Sequence, residues 1–173
     1  MQTLSIVIPV YYNQDSLREL HLLLRAFAEE HNDLICEFVF VEDGSGDRSF
    51  EVLKNIAAED VRVKVVKLSR NFGSNAAILA GMTHATGAAV AFIAADLQDS
   101  IEALSSMVQA WQTGERVVFA VRRNRDDPFV SRLFATMFNT LLHWLVLKDV
   151  PPTGVGFFLA DRYVVDIVLH CEE

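Results

Sequence analysis

The chain has 173 residues, of which 23 are acidic and 15 basic, and a formal net charge of −8. Hydrophobic residues make up 51% of it and charged residues 22%, which is typical of a folded globular domain and excludes disordered and collagen-like classes. The acidic balance argues against a nucleic-acid-binding protein, because phosphate backbones are bound by basic surfaces. Cys36 and Cys171 are far apart in sequence, so we expect no disulfide scaffold, no zinc site and a reducing compartment.

The chain contains no uninterrupted apolar run of about 18 residues, the length that a conventional membrane span needs. Its first apolar run, residues 6–10, is short and lacks the basic flank of a signal peptide. The length suits one sizeable hydrophobic core, and we therefore expect residues 1–173 to form a single domain.

Strand-like and helix-like segments alternate along most of the chain. Apolar, β-branched runs predict strands at residues 4–10, 37–42, 61–68, 88–95 and 117–121. Helical spacing of apolar residues predicts helices between them, and residues 74–85 predict a small, tightly packed helix. The expected N-caps are Asp15 or Ser16, Asp47 and Ser100. Alternation with short links predicts an α/β fold, with a mostly parallel sheet flanked by helices.

Residues 129–147 interrupt this alternation, since 13 of the 19 are apolar and the only formal charge is Arg132. One interpretation is a helix buried against the sheet. The other is an amphipathic helix in a membrane interface, which the wide apolar arc and the nearby arginines favour. Beyond this region we expect a strand at residues 157–159. A final helix at 162–170 should follow, with Val164, Ile167 and Val168 on its packing face.

Ligands of doubly wound sheets bind beyond the carboxyl ends of the strands. The segments expected there are residues 11–14, 42–45, 96–99 and 122–125. The first three are rich in carboxylate or amide oxygens, and the last contains the three arginines 122, 123 and 125. No glycine-rich phosphate loop follows the first strand, which disfavours a classical dinucleotide fold and a P-loop.

Three of these segments carry specific chemistry. Asp96 and Gln98 side by side suit Mg²⁺ or Mn²⁺ bridging a diphosphate, although Asp96 could also be a turn residue and Asp99 a helix cap. An acid such as Asp43 after a buried strand can accept hydrogen bonds from a nucleobase or a ribose, and an ordinary Asp-Gly turn is the alternative. The arginines could pair with a diphosphate or a lipid phosphate, or form a solvated loop.

Four motifs occur in order: IPVYYN at residues 8–13, FVEDGS at 40–45, LSRNFG at 68–73 and ADLQD at 95–99. Together they resemble the family 2 inverting glycosyltransferases, in particular the branch of dolichol-phosphate mannose synthase and bacterial polyprenyl-phosphate glycosyltransferases. The resemblance spans residues 4–166. It implies a GT-A type, Rossmann-like fold that moves a sugar from a nucleotide-diphosphate sugar to an acceptor, expected to be a polyprenyl phosphate.

The resemblance also implies site residues, partners and a location. The residues expected to bind the nucleotide sugar are Pro9, Val10, Tyr11, Asn13, Asp43, Arg70, Asp96 and Arg122. Asp96 and Gln98 would hold Mg²⁺ or Mn²⁺ on the diphosphate. Residues 129–147 match the family's interfacial helix, so we expect the protein at the cytoplasmic face of a membrane. A homo-oligomer is a further expectation.

The sequence departs from the family pattern at three places. Ala94 stands where the metal motif often has its first Asp, Asn13-Gln14 replaces an acidic position, and Gly156 stands where relatives place an Asp thought to act as general base. A phosphate acceptor is already ionised and needs less help from a base. The departures leave open a catalytically impaired nucleotide-sugar-binding domain that acts through a membrane or protein partner.

Two further expectations concern a competing class of nucleotide-binding protein and the C-terminal end of the chain. A generic nucleotide-binding or response-regulator-like module would not explain residues 69–73 together with 96–98. Because many relatives continue into two membrane helices, we expect this chain to be truncated at its C-terminal end or to be a short family member.

Overall fold

The computed structural model describes residues 1–98, 100–121 and 155–170, and within them six strands form one sheet flanked by helices. The strands are β1 (Gln2–Val10), β2 (Leu34–Glu42), β3 (Val63–Lys67), β4 (Ala89–Phe92), β5 (Val117–Val121) and β6 (Val155–Asp161). The helices are α1 (Leu17–Glu30), α2 (Ser49–Glu59), α3 (Ser74–His84), α4 (Ile101–Gln112) and α5 (Arg162–His170). The expectations for Asp99, for the arginines 122, 123 and 125, and for residues 129–147 lie outside the described residues.

The strand order is β3-β2-β1-β4-β6-β5. β1 pairs in parallel with β2 and β4, and β2 pairs in parallel with β3. β6 runs antiparallel to both β4 and β5, so β5 has the direction of the first four strands. The predicted mostly parallel sheet is confirmed. Because β6 is reversed, its first residues lie at the edge where the parallel strands end.

The two faces of the sheet carry different helices because side chains alternate along each strand. Ile6, Ile8, Phe38 and Phe40 share a core with the apolar faces of α1, α2 and α4. Val7, Val39 and Val41 point to the other face and pack with buried residues of α3 and α5. The sheet is therefore covered on both sides, as expected for buried parallel strands.

Helix α3 packs unusually close to the sheet. A Cβ atom on Gly81 would lie 2.3 Å from Cγ1 of Val7, so only glycine fits at this point. Ala77 and Met82, two other residues of α3, are also buried. The prediction of a small, tightly packed helix is thereby confirmed.

The predicted packing face of α5 is confirmed at Val164, which packs against the core, and is wrong at Ile167 and Val168. Val165 is the buried residue, whereas Ile167 and Val168 are 48% and 43% exposed. Arg162 sets the rotation of the helix: its side chain donates hydrogen bonds to the carbonyl oxygens of Gly87 (2.9 Å) and Ala85 (2.8 Å). Residues three apart lie on one helical face, so these hydrogen bonds also turn Val165 towards the sheet.

None of the helices within the described ranges combines the length and the hydropathy that crossing a membrane requires.

Candidate functional site

A cavity of about 350 Å³ opens where β1, β2 and β4 end. Six of the residues predicted from the sequence line it: Pro9, Val10, Tyr11, Asn13, Asp43 and Asp96. Ala94, one of the departures from the family pattern, lines it as well. The structure therefore gathers residues from three separate loops around one space, as strands that end at a common edge should.

Three other predicted residues are not part of this lining. Arg70 is exposed, and its guanidinium carbon stacks 4.0 Å above the centre of the Phe72 ring. Gln98 is exposed and does not line the cavity. Arg122 lies outside the described residues.

Sequence reasoning missed five lining residues: Asn71, Gly73, Ser74, Phe92 and Ala95. Asn71 and Gly73 belong to the loop between β3 and α3, which the candidate segments omitted, and Ser74 is the first residue of α3. The motif at residues 68–73 was a usable signal, but only its arginine was selected as a site residue. Asn71 accepts a hydrogen bond from the Gly73 N–H at 2.8 Å, so its side chain shapes the loop.

The loop after β1 is fastened to the loop before α2 by hydrogen bonds between backbone and side chains. The N–H groups of Tyr12 and Asn13 donate to the hydroxyls of Ser45 and Ser49, each at 3.1 Å. The Gln14 N–H donates to Asp47 at 3.3 Å. Burial acts to raise the pKa of Asp47, but hydrogen bonds from Ser49 and Gln14 outweigh it and hold that pKa below its ordinary value.

Two predicted caps act differently from what we expected, and the third is confirmed. Ser16 occupies the N-cap position of α1 without accepting a capping bond, and its hydroxyl donates to the carbonyl oxygen of Ala95 at 2.6 Å instead. That bond ties the start of α1 to the loop after β4. Asp47 lies one residue before the N-cap of α2 and accepts from the Ser49 N–H at 3.0 Å. Ser100 accepts from the Ala103 N–H and caps α4 as predicted.

Asp43 connects the loop after β2 to the loop between β3 and α3. Its carboxylate is 3% exposed and accepts hydrogen bonds from the N–H groups of Phe72 (2.8 Å) and Gly73 (2.9 Å). Gly44 follows with φ of +68°, and a Cβ there would lie 2.5 Å from backbone atoms of Arg70 and Asn71. The two loops therefore touch through their backbones.

Glu42, the last residue of β2, is buried beside Asp43. One of its carboxylate oxygens accepts a hydrogen bond from the Ser45 N–H. The other oxygen is buried and has no hydrogen-bond partner in the described part of the chain. The first bond holds the turn that follows Asp43.

The N-terminus of α3 faces the same cavity, since Gly73 and Ser74 both line it. No side chain within the described ranges caps this helix. The first N–H groups of a helix carry partial positive charge, so this end provides donors for an anionic ligand.

Asp96 is the residue best placed to contact a metal ion. It is exposed in the cavity lining, and one carboxylate oxygen accepts from the Gln98 N–H at 3.2 Å. Among the described residues there is no group of three or more His, Cys, Asp or Glu that could hold an ion on its own. The donor set therefore fits an ion that shares its coordination with a phosphate-bearing substrate, as Mg²⁺ often does.

A larger cavity of about 510 Å³ lies between α3, β5, β6 and α5. Its described lining is apolar apart from Asn75 and includes Phe119 and Phe158. This lining has no carboxylate and no basic side chain, so the smaller cavity is the better candidate for binding a nucleotide.

Comparisons with known proteins agree with this geometry. The chain is 39% identical over 170 residues to the uncharacterized glycosyltransferase YkcC of Bacillus subtilis (strain 168), covering 98% of this chain and 52% of that protein. It is 37% identical over 175 residues to the undecaprenyl-phosphate 4-deoxy-4-formamido-L-arabinose transferase of Edwardsiella ictaluri (strain 93-146), covering 100% of this chain and 53% of that protein. The chain thus spans about half the length of these relatives.

The fold matches that of a solved glycosyltransferase. The mannosyltransferase PcManGT from Pyrobaculum calidifontis, solved in complex with GDP-Man and Mn²⁺, superposes with a TM-score of 0.68 at 20% identity, over 95% of this chain and 46% of that one. The expected GT-A type fold is confirmed. The family model "Glycosyl transferase family 2" matches residues 5–166, nearly the whole sequence. The chain belongs to glycosyl transferase family 2.

Proposed function

We propose that the chain transfers a sugar, with inversion, from a nucleotide-diphosphate sugar to a polyprenyl phosphate. The observation that carries this proposal is the joint lining of one cavity by Asp43, Asp96 and the N-terminus of α3. Support for the donor comes from PcManGT, whose structure contains GDP-Man and Mn²⁺. Support for the acceptor comes from the relative named as an undecaprenyl-phosphate transferase.

The donor's nucleoside fits the side of the cavity formed by Tyr11 and Asp43. Tyr11 is exposed at the cavity mouth and offers an aromatic face for a base. Asp43 keeps unused lone pairs after its two backbone hydrogen bonds, because a carboxylate has about four acceptor sites. It can therefore accept a further bond from a nucleobase N–H or a ribose hydroxyl.

The donor's diphosphate would lie between Asp96 and the N-terminus of α3, both of which line the cavity. Asp96 would hold a Mg²⁺ or Mn²⁺ ion there, whereas Gln98, the second ligand expected from the sequence, does not line the cavity. When bound, such an ion neutralises charge on the departing diphosphate. The helix N-terminus adds N–H donors that stabilise the same charge. Ala94 supplies no carboxylate, so substrate phosphates would complete the coordination.

Transfer requires an acceptor oxygen to attack the anomeric carbon while the bond to the nucleoside diphosphate breaks. A phosphate monoester is largely ionised near pH 7, since its second pKa is about 6. It can attack without losing a proton to the protein. This property is compatible with Gly156, at the start of β6, in place of the carboxylate of relatives.

The same proposal places the protein at the cytoplasmic face of a membrane, because a polyprenyl phosphate is anchored there by its hydrocarbon chain. Residues 129–147 and the arginines before them are the candidate contacts, and they lie outside the described residues. Homo-oligomer formation stays a prediction.

A transfer assay tests the proposed function directly. The chain is incubated with a panel of UDP and GDP sugars, Mn²⁺ and a polyprenyl phosphate in detergent, and the glycolipid is measured by mass spectrometry. We expect a sugar–phosphate–lipid product with one donor. Tight nucleotide binding without transfer to lipid would contradict the proposal and favour the impaired, nucleotide-sugar-binding domain.

A further inference from the structure

Tyr12 adopts a backbone conformation that is costly for its side chain. Its φ is +57°, and Leu97, at +62°, is the other non-glycine residue with positive φ in the described ranges. A bulky aromatic residue is a genuine outlier in this left-handed region. Both residues lie in loops next to the cavity, and such strain persists only where the surroundings impose it.

Hydrogen bonds from a neighbouring loop impose this conformation. The Tyr12 N–H donates to the Ser45 hydroxyl, and the next N–H, of Asn13, donates to the Ser49 hydroxyl. These bonds explain the backbone but not the choice of side chain. Tyr12 is 57% exposed, so burial does not account for the choice of tyrosine, and asparagine or glycine would adopt this φ at lower cost.

The ring of Tyr12 is placed between Tyr11 and Gly46. It meets the Tyr11 ring edge to face, with centroids 4.7 Å apart and an angle of 90° between the planes. Its hydroxyl lies over Gly46, where a Cβ would be 2.5 Å from the hydroxyl oxygen. Because Gly46 has no side chain, the Tyr12 ring can occupy this space. Of the two tyrosines, Tyr11 lines the cavity.

We propose that Tyr12 is a positioning residue, which holds the Tyr11 ring at the cavity mouth so that it presents a face to the base of a nucleoside diphosphate. This inference rests on the proposed function. It assigns a role to a residue outside the cavity lining, and it explains why a strained aromatic residue occupies this position.

The test displaces the Tyr12 ring without changing Tyr12. In Gly46→Ala the new methyl group meets the hydroxyl, and in the double variant Gly46→Ala/Tyr12→Phe that hydroxyl is gone. UDP and GDP binding with Mn²⁺ is measured by calorimetry. The loss of an aromatic pair corresponds to about a two- to tenfold change in a binding constant. We therefore expect Gly46→Ala to weaken nucleotide binding by about two- to tenfold. The double variant should recover most of that loss.

Two further variants separate positioning from structural support. Tyr12→Asn should weaken binding while leaving the unfolding temperature unchanged or raising it by about 2–4 °C, since the strain is relieved. In a Tyr11→Ala background, Gly46→Ala should cause no further loss, because Tyr12 acts through Tyr11. Gly114→Ala, in the turn after α4, is the control and should bind like the unchanged chain.

Equal affinity of Gly46→Ala and the unchanged chain would overturn this inference alone. So would a loss that the double variant does not recover, or a loss in Tyr12→Asn that accompanies a lower unfolding temperature. Absence of UDP and GDP binding by the unchanged chain would overturn the proposed function, and this inference with it.

Discussion

At the scale of single residues, the site depends on contacts between loops that leave no room for side-chain atoms. Gly44 has a positive φ, and backbone atoms of the next loop lie 2.5 Å from the point where a Cβ would be, so two separate constraints demand glycine. Asp43 beside it holds that next loop through two hydrogen bonds. These contacts therefore hold the two loops together without a bound ligand.

Gly44→Ala should destabilise the chain by about 2–4 kcal/mol, because strain at positive φ adds to a clash with backbone that cannot move aside. Thermal and urea unfolding measure the change. Gly114→Ala is the matched control: its φ of +115° adds strain, but no atom of the described residues lies within 4 Å of the new methyl group. If both variants lose the same stability, the contact between the two loops does not matter.

At the scale of elements, the close approach of α3 to the sheet positions the helix N-terminus at the cavity. Gly81→Ala would place a methyl group 2.3 Å from Val7 Cγ1, in a fully buried position. We expect a loss of about 1–3 kcal/mol in unfolding free energy, as overpacking usually costs, despite the better helix propensity of alanine.

A second substitution should relieve the clash that alanine at position 81 creates. Val7→Ala removes the atom that clashes, so Gly81→Ala/Val7→Ala should be more stable than the sum of the single changes predicts. Thr83→Ala, on the exposed side of α3, should change the unfolding free energy by less than about 0.5 kcal/mol. Strict additivity of Gly81→Ala and Val7→Ala would show that α3 does not pack as described.

Helices α1 and α2 are connected to β3 by a buried ionic cluster. Asp60 accepts hydrogen bonds from Arg62 at 2.7 and 2.9 Å and contacts His21 Nε2 at 3.0 Å. The bonds from the Arg62 side chain hold the pKa of Asp60 well below its ordinary value, and burial opposes them only in part. A depressed carboxyl pKa stabilises the fold above the unfolded pKa, and this stabilisation is lost as the pH falls.

Asp60→Asn should therefore remove part of the acid sensitivity. In the unchanged chain the unfolding free energy should fall as the pH drops below about 4, the ordinary pKa of Asp. The variant should be less stable at pH 7 by about 1–3 kcal/mol and show a shallower fall below pH 4. Urea unfolding at a series of pH values gives both curves, and parallel curves would contradict the assignment.

At the scale of the whole molecule, the sequence predicted the parallel core and six of the residues that line the cavity. An apolar, β-branched run located β5 at residues 117–121 as observed, and strand ends predicted that Asp43 and Asp96 would share an edge. The reversed direction of β6 could not be predicted, because direction depends on the connection from β5 and not on the strand's own residues.

The missed features depend on contacts between distant loops. The role of Ser16 as a donor to Ala95 could not be distinguished from an N-cap by its position alone. The contribution of Asn71 and Ser74 follows from the closeness of the segment between β3 and α3 to Asp43, which no local pattern encodes. The rotation of α5 is set by Arg162 through carbonyl groups more than seventy residues away.

The central claim is that the cavity at the carboxyl edge binds a nucleoside diphosphate together with a divalent ion through Asp96. The most direct measurement is calorimetric titration of UDP and GDP, with Mn²⁺ and with a chelator, into the unchanged chain and into Asp96→Asn. Asp33→Asn, which removes an exposed carboxylate before β2, is the control for charge. We expect one diphosphate to bind more tightly with Mn²⁺, and most of that gain to be lost in Asp96→Asn alone, since a charged ligand becomes neutral. Equal affinity with and without chelator, in all three proteins, would contradict the account.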